Sequence, residues 1–170
     1  MRSCIGSMQH FGSNTWPDIC AATSLIQNGA PMIEDLSAVY DCIDYLRDTA
    51  DCGITVKPLE LDQLIVVGYG DSSWGNAEGL RTQTGILVIA AERRALLGES
   101  PGNILDWKSN RTARVVRSTL AGEAIATDTA ADATYHAAAA FSEPQPVPRM
   151  CRELRSIFSL ADSSSSATRA

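Results

Sequence analysis

Two carboxylates in the middle of the chain have the residue type and the setting for chemistry, Asp71 and Glu123. Asp71 follows a run of β-branched residues, so it would project where a strand meets solvent, and Glu123 stands near the start of a segment rich in alanine. Each also has a structural interpretation. A strand-end acid is often a turn residue, and an acid in the first turn of a helix complements the helix dipole. The two residues alone leave both interpretations open.

A further set of possible metal ligands repeats every four residues, at Asp128, Asp132 and His136. That spacing puts the three side chains on one helical stripe, from which a metal site could be built. At about 100° per residue, however, the stripe lies far around the helix from Glu123. We therefore interpret it as a solvated face. No nucleophile elbow, zinc-protease motif, phosphate-binding loop or dinucleotide fingerprint is present.

Positive charge is concentrated in one part of an acidic chain. The formal net charge is −6, and residues 1–62 alone hold three basic and nine acidic side chains, a balance of −6. Residues 107–122 contain no acid and carry four cations: Lys108, Arg111, Arg114 and Arg117. This basic track is either a solvated loop or a surface for phosphates, since local distribution matters more than the sum.

Composition bounds the class of protein. The 170 residues are 45% hydrophobic and 20% charged, which is typical of one globular domain. The longest apolar run, 86–91, is six residues, far short of the roughly 20 that span a membrane. No apolar signal-peptide core is visible near the start. Five cysteines without a C-x-x-C pair predict reduced, structural thiols in a cytosolic or nuclear protein.

The elements that must position the acids change in type along the chain. The first 60 residues read as helical: Pro17 is a plausible helix start, and apolar residues within 36–46 recur at helical spacing. After residue 60 the pattern predicts four strands, then a helix over 120–141 and a poorly ordered tail over 142–170. The predicted strands are 64–69 (ending near Gly70 and Asp71), 85–90, 95–97 and 104–108. These elements predict a mixed α+β fold, a mainly antiparallel sheet with a helix packed on one face.

Four segments resemble, in order and in spacing, the ribonuclease H domain of copia-type retrotransposon polyproteins. GYGDSSWG at 68–75 resembles the opening G-Y-S-D-A-D-W-A-G, and RTQTG at 81–85 resembles R-x-S-T-S-G. DWKS at 106–109 is similar to W-x-S-K. STLAGEAIA at 118–126 is similar to S-S-x-E-A-E-Y-x-A, which places Glu123 on the second, catalytic glutamate of that motif.

The upstream part resembles the end of the reverse transcriptase that precedes this domain in the same family. GSMQHF at 6–11 is similar to G-S-L-x-Y-L, WPDI at 16–19 to R-P-D-I, and YLRDT at 45–49 to Y-L-K-G-T. The resemblance covers about residues 1–140. It implies three parts: a helical tail of reverse transcriptase (thumb or connection-like) at 1–60, a partial ribonuclease H-like domain at 61–141, and a poorly ordered tail at 142–170.

The resemblance implies hydrolysis of the RNA strand in an RNA–DNA hybrid, with two Mg²⁺ or Mn²⁺ ions held by carboxylates. Asp71 and Glu123 would then be the catalytic and metal-binding residues. The basic track would contact phosphates of the hybrid. The implied partners are the hybrid and the remainder of the reverse transcriptase polyprotein, with no membrane.

Two of the four acids that the family uses have no counterpart. The third belongs to a D-N pair on a later strand, where this chain has PQPVP at 144–148, a sequence unsuited to a strand interior. The fourth is absent, and Asp162 in the serine-rich tail is no substitute; the polymerase motif Y-x-D-D is also missing. We therefore expect a truncated copia-type fragment of marginal stability, inactive or weak as a nuclease. The alternatives are a non-catalytic nucleic-acid-binding remnant that uses the track 108–117, and an unrelated small α+β domain.

Overall fold

Helices make up the first part of the chain in the computed structural model, which describes residues 2–26, 33–77 and 81–142. Helix α1 spans Arg2–Asn14. A 3₁₀ turn at Pro17–Ile19 leads directly into α2, Cys20–Ile26, and α3 spans Ile33–Asp48. The predicted start at Pro17 and the predicted helix over 36–46 are both confirmed.

The expectation of helix as far as residue 60 is wrong beyond α3. Residues 52–60 form neither helix nor strand, and this segment instead bonds to the sheet. The backbone N–H of Lys57 donates to Asn103 Oδ1 at 2.8 Å, and Asn103 Nδ2 donates to the Lys57 carbonyl at 2.8 Å. The segment is therefore joined to the sheet by hydrogen bonds between its backbone and the Asn103 side chain, and it does not form a fourth helix.

Three antiparallel strands form the sheet, in the order β1-β2-β3. Their bounds are Leu64–Ala77 for β1, Arg81–Glu92 for β2 and Gly102–Arg111 for β3. The mixed α+β class and the antiparallel pairing are as predicted. The predicted end of β1 near Gly70 is wrong, because Gly68 and Gly70 lie against a helix within the strand and do not form a turn.

The predicted third strand at 95–97 is also wrong. Residues Arg93–Leu96 form a 3₁₀ turn between β2 and β3. Leu96 and Leu97 are 69% and 93% exposed. Within the described ranges no strand lies beside this short apolar run to bury it, so its hydrophobicity misled the prediction.

Helix α4, Thr119–Ser142, confirms the helix predicted over 120–141. It begins where the Ser118 hydroxyl accepts a hydrogen bond from the backbone N–H of Ala121 at 3.2 Å, a helix N-cap. One compact unit covers Met1–Ala139, and a second covers Ala140–Ala170, of which only the end of α4 is described. No helix within the described ranges is long and apolar enough to span a membrane.

Within the first unit, helices cover both faces of the sheet. Gly122 of α4 lies against Ser72 of β1 on one face. On the other face, Gln83 Nε2 donates to Ser24 Oγ of α2 at 2.9 Å, and Trp107 Nε1 donates to the Gly12 carbonyl of α1 at 2.6 Å. Helices α1, α2 and α3 also bury a small core of their own, formed by Ile5, Met8, Ile26, Val39 and Cys42.

Small residues allow α4 to approach β1 closely. A Cβ atom added at Gly70 would lie 2.5 Å from the carbonyl oxygen of Ala126, and one added at Gly122 would lie 2.6 Å from Ser72 Oγ. Gly122, Ala126 and Ala130 are the buried residues of α4 and recur every fourth position. This stripe of small residues fixes which side of β1 faces the helix.

Candidate functional site

Glu123 is held at the contact between α4 and β1. Its carboxylate Oε1 accepts a hydrogen bond from Ser72 Oγ at 3.1 Å, and the Glu123 side chain is half-buried. Gly70 and Ser72 both contact α4, which is consistent with side chains that alternate along a strand. The residue of β1 that the fold brings to Glu123 is therefore Ser72.

Asp71 lies one residue before Ser72, so alternation directs its side chain to the opposite face of the sheet. It pairs with Gly85 of β2 in the middle of β1, and it is exposed. The structure does not bring Asp71 and Glu123 together. The expectation that a helix packed across the sheet would bring the two acids to a common point is therefore not met, because the close packing of Gly70 on α4 sets the phase of the strand.

Among the residues that the structure describes, the carboxylates do not make a site that fits a pair of Mg²⁺ ions. Such ions take several carboxylate oxygens in a shared cage. The part of the chain that the structure describes holds no group of three or more His, Cys, Asp or Glu side chains placed to bind a metal. The segment at 144–148 and Asp162, which were considered for the missing acids, lie outside the described residues.

Three members of the basic track line one cavity of about 340 Å³: Lys108, Arg111 and Arg114. We call it the basic cavity. Lys108 lies opposite Ile86 in the β2–β3 ladder, Arg111 ends β3, and Arg114 follows in the segment that leads to α4. Arg117, the fourth cation of the track, does not line this cavity. The sheet thus gathers most of the track around one concave surface.

The segment that carries Arg114 is tied to the sheet by three hydrogen bonds. The backbone N–H of Thr112 donates to the Thr82 carbonyl at 2.8 Å, and the hydroxyls of Thr84 and Thr112 are 2.7 Å apart. Trp74 Nε1 donates to the carbonyl of Val116 at 3.0 Å. These bonds fix the backbone that carries Arg114 before any ligand binds, which lowers the entropy cost of ordering this segment on binding.

The cations of the basic cavity have no acidic partner among the residues that are described. Arg47 pairs with Asp44 at 2.7 Å, and Arg94 pairs with Glu92 at 2.7 Å. No comparable ion pair engages Lys108, Arg111 or Arg114 within 2–26, 33–77 and 81–142. Unpaired cations that converge on a concave surface create a positive potential there and favour an anion.

Sequence reasoning missed the contribution of Asp128 and of two isoleucines. Asp128, which was assigned to a solvated stripe with Asp132 and His136, is exposed but also lines the basic cavity. Ile86 of β2 and Ile125 of α4 form an apolar wall of the basic cavity. The sequence contained one signal of this contribution. Asp128 stands three residues after Ile125, and residues with this spacing lie on the same side of a helix.

Comparison of this chain with protein families, with curated proteins and with solved structures found no match.

Proposed function

We propose that this chain is a ribonuclease H-like domain of the copia type that follows the tail of a reverse transcriptase. We propose further that it binds RNA–DNA hybrids through the basic cavity. The observation that carries the proposal is the convergence of Lys108, Arg111 and Arg114, none of them in an ion pair among the described residues, on one cavity. The motif resemblance supplies the identity of the ligand. The rest of the polyprotein is the second proposed partner, in the cytosol or the nucleus.

Phosphates of the hybrid are the groups that these cations would contact. A nucleic-acid backbone presents regularly spaced negative charges, and each phosphate neutralised by a cation releases condensed counterions. Arg111 and Arg114 can each donate two hydrogen bonds to one phosphate, whereas Lys108 acts as a point charge. Three such contacts would position the strand along β3.

The overall charge of −6 does not oppose this surface, because the acids are concentrated elsewhere. Residues 1–62 account for the whole negative balance, whereas residues 63–141 hold seven basic and eight acidic side chains. At physiological salt, exposed charges more than about 8 Å apart are largely screened from each other. The local field at the basic cavity therefore decides whether an anion binds.

Binding rather than rapid cleavage is the function that we favour. Cleavage in this family needs carboxylates that share Mg²⁺ or Mn²⁺, and the residues proposed for that role are Asp71 and Glu123. Strand alternation directs Asp71 away from the face on which Glu123 meets Ser72. Incubating a labelled hybrid with Mg²⁺ or Mn²⁺ tests this point: we expect no cleavage, and cleavage lost in both Asp71→Asn and Glu123→Gln would establish the nuclease instead.

Binding itself is tested by fluorescence anisotropy of a labelled 16-base-pair hybrid at several salt concentrations. Replacing Lys108, Arg111 or Arg114 singly with Gln should weaken binding and reduce the salt slope by about 1 each. Arg47→Gln is the matched control, since Arg47 is already paired with Asp44 on α3. Equal slopes for all four variants and the parent would contradict the assignment of the basic cavity.

A further inference from the structure

The basic cavity has walls that a sugar-phosphate backbone does not explain. Besides its cations it is lined by Ile86, which is 8% exposed, and by Ile125, which is half-buried. Asp128 also lines it, and a carboxylate repels phosphate. A ligand that satisfies the whole lining needs an anionic group, an apolar surface and hydrogen-bond donors.

We infer that the basic cavity takes one unpaired nucleotide at the end of a bound strand, with its base against the two isoleucines and with the phosphates that join it to the strand on the cations. This inference rests on the proposed function, because it assigns a particular unit of the nucleic acid to the cavity. A paired base could not enter, since its Watson–Crick edge is occupied within a duplex. An unpaired base exposes this edge.

The size of the cavity matches this unit. Its volume is about 340 Å³, at the lower end of the roughly 300–1,000 Å³ typical of small-ligand sites. Such a volume suits one nucleotide and excludes a duplex, which would lie across the rim. Ile86 and Ile125 stand on the sheet and on α4 respectively, so the base would insert between the two layers.

Asp128 gives the site a preference among bases. An ionised carboxylate only accepts hydrogen bonds, so it selects a base edge on which N–H donors lie side by side. Guanine offers this edge through N1–H and the exocyclic amino group. Uracil offers a single N–H between two carbonyl oxygens, which the carboxylate repels. The geometry therefore points to guanine over uracil at the unpaired position.

The test uses the full chain and three labelled RNA–DNA hybrids that share one duplex sequence. One hybrid is blunt, one carries a single unpaired G at the RNA 3′ end, and one carries a single unpaired U there. We expect the G overhang to bind about tenfold more tightly than the blunt hybrid, since a good bidentate contact discriminates on that scale. The U overhang should lie close to the blunt hybrid.

Two variants on α4 separate the role of Asp128 from a general effect of charge. Asp128→Asn should reduce the preference for G over U to within about twofold, because an amide presents only one acceptor. Asp132→Asn, which removes the same charge one turn further along the helix and outside the cavity lining, should keep the preference.

The outcomes distinguish the inference from the function on which it rests. Equal binding of the three hybrids by the parent would overturn the inference and leave hybrid binding intact. Loss of the preference in both variants would also overturn it, because a general charge effect would then explain the result. No binding of any hybrid would overturn the proposed function and the inference together.

Discussion

The close approach of α4 to β1 makes Gly70 a position where one methyl group should cost stability. A Cβ atom there would lie 2.5 Å from the carbonyl oxygen of Ala126 and 2.8 Å from its carbonyl carbon. Ordinary contacts between such atoms are about 3.5 Å, so in Gly70→Ala the helix must move away by roughly 1 Å. Both nearby atoms belong to helical backbone and cannot rotate aside.

The expected loss for Gly70→Ala combines two opposing effects. Overpacking of this kind costs about 1–3 kcal/mol, and replacing glycine by alanine returns about 0.4–1 kcal/mol by restricting the unfolded chain. We therefore expect the free energy of unfolding to fall by about 1–2 kcal/mol. With a urea dependence of about 2 kcal/mol per M, the midpoint followed by circular dichroism should fall by about 0.5–1 M.

Gly85→Ala is the matched control, because Gly85 lies in the same sheet and a Cβ atom there would have nothing within 4 Å. We expect its midpoint to equal or slightly exceed that of the parent, since only the effect on the unfolded chain applies. If the two variants shift the midpoint equally, close packing of α4 on β1 does not limit the side chain at Gly70 and the reasoning is refuted.

Three further outcomes follow from individual contacts. The hydrogen bond to the Asp18 carboxylate raises the pKa of Tyr45 above its ordinary value. The stability that this contact gives to the folded protein is present below about pH 10, and it is lost as the pH rises through the pKa of Tyr45 in the folded state. Ultraviolet titration should therefore show a lower phenol pKa in Asp18→Ala, and an unchanged titration would contradict it. Burial, and secondarily a neighbouring acid, raises the pKa of the Cys42 thiol, so a thiol reagent at neutral pH should modify the exposed Cys52 first, and equal rates would argue against a buried Cys42. Trp107→Phe removes the indole donor to the backbone of α1 and should lower the unfolding free energy by about 1 kcal/mol; no change in the urea midpoint would count against that contact.

Periodicity in the sequence predicted the longer elements because their apolar residues repeat at the spacing that burial requires. The apolar spacing within 36–46 matched α3, and the β-branched run at 85–90 matched the centre of β2. The same reasoning failed for 95–97, where two leucines lie exposed at the end of a 3₁₀ turn and directly after it. A short apolar run carries no information about whether a neighbouring element is there to cover it.

The cations of the candidate site could be predicted from the sequence, whereas the positions of its acids could not. Lys108, Arg111 and Arg114 stand in one acid-free stretch, and β3 with its following segment brings them to one cavity. The relation of Asp71 to Glu123 depended on strand phase, which is set by which glycine of β1 meets α4. Asp128 lines the cavity because Ile125, three residues earlier in α4, faces the sheet. This packing joins segments that are distant in the sequence, so the local spacing of residues does not reveal it.

The salt dependence of hybrid binding tests the central claim most directly, by comparison of the parent with the triple variant Lys108→Gln, Arg111→Gln, Arg114→Gln. Three phosphate contacts predict a slope near −2.7 in log K against log salt, or about a 40-fold loss of affinity between 50 and 200 mM. We expect this loss of affinity for the parent and a nearly flat response to salt for the triple variant. A triple variant that binds the hybrid with the affinity and the salt slope of the parent would contradict it.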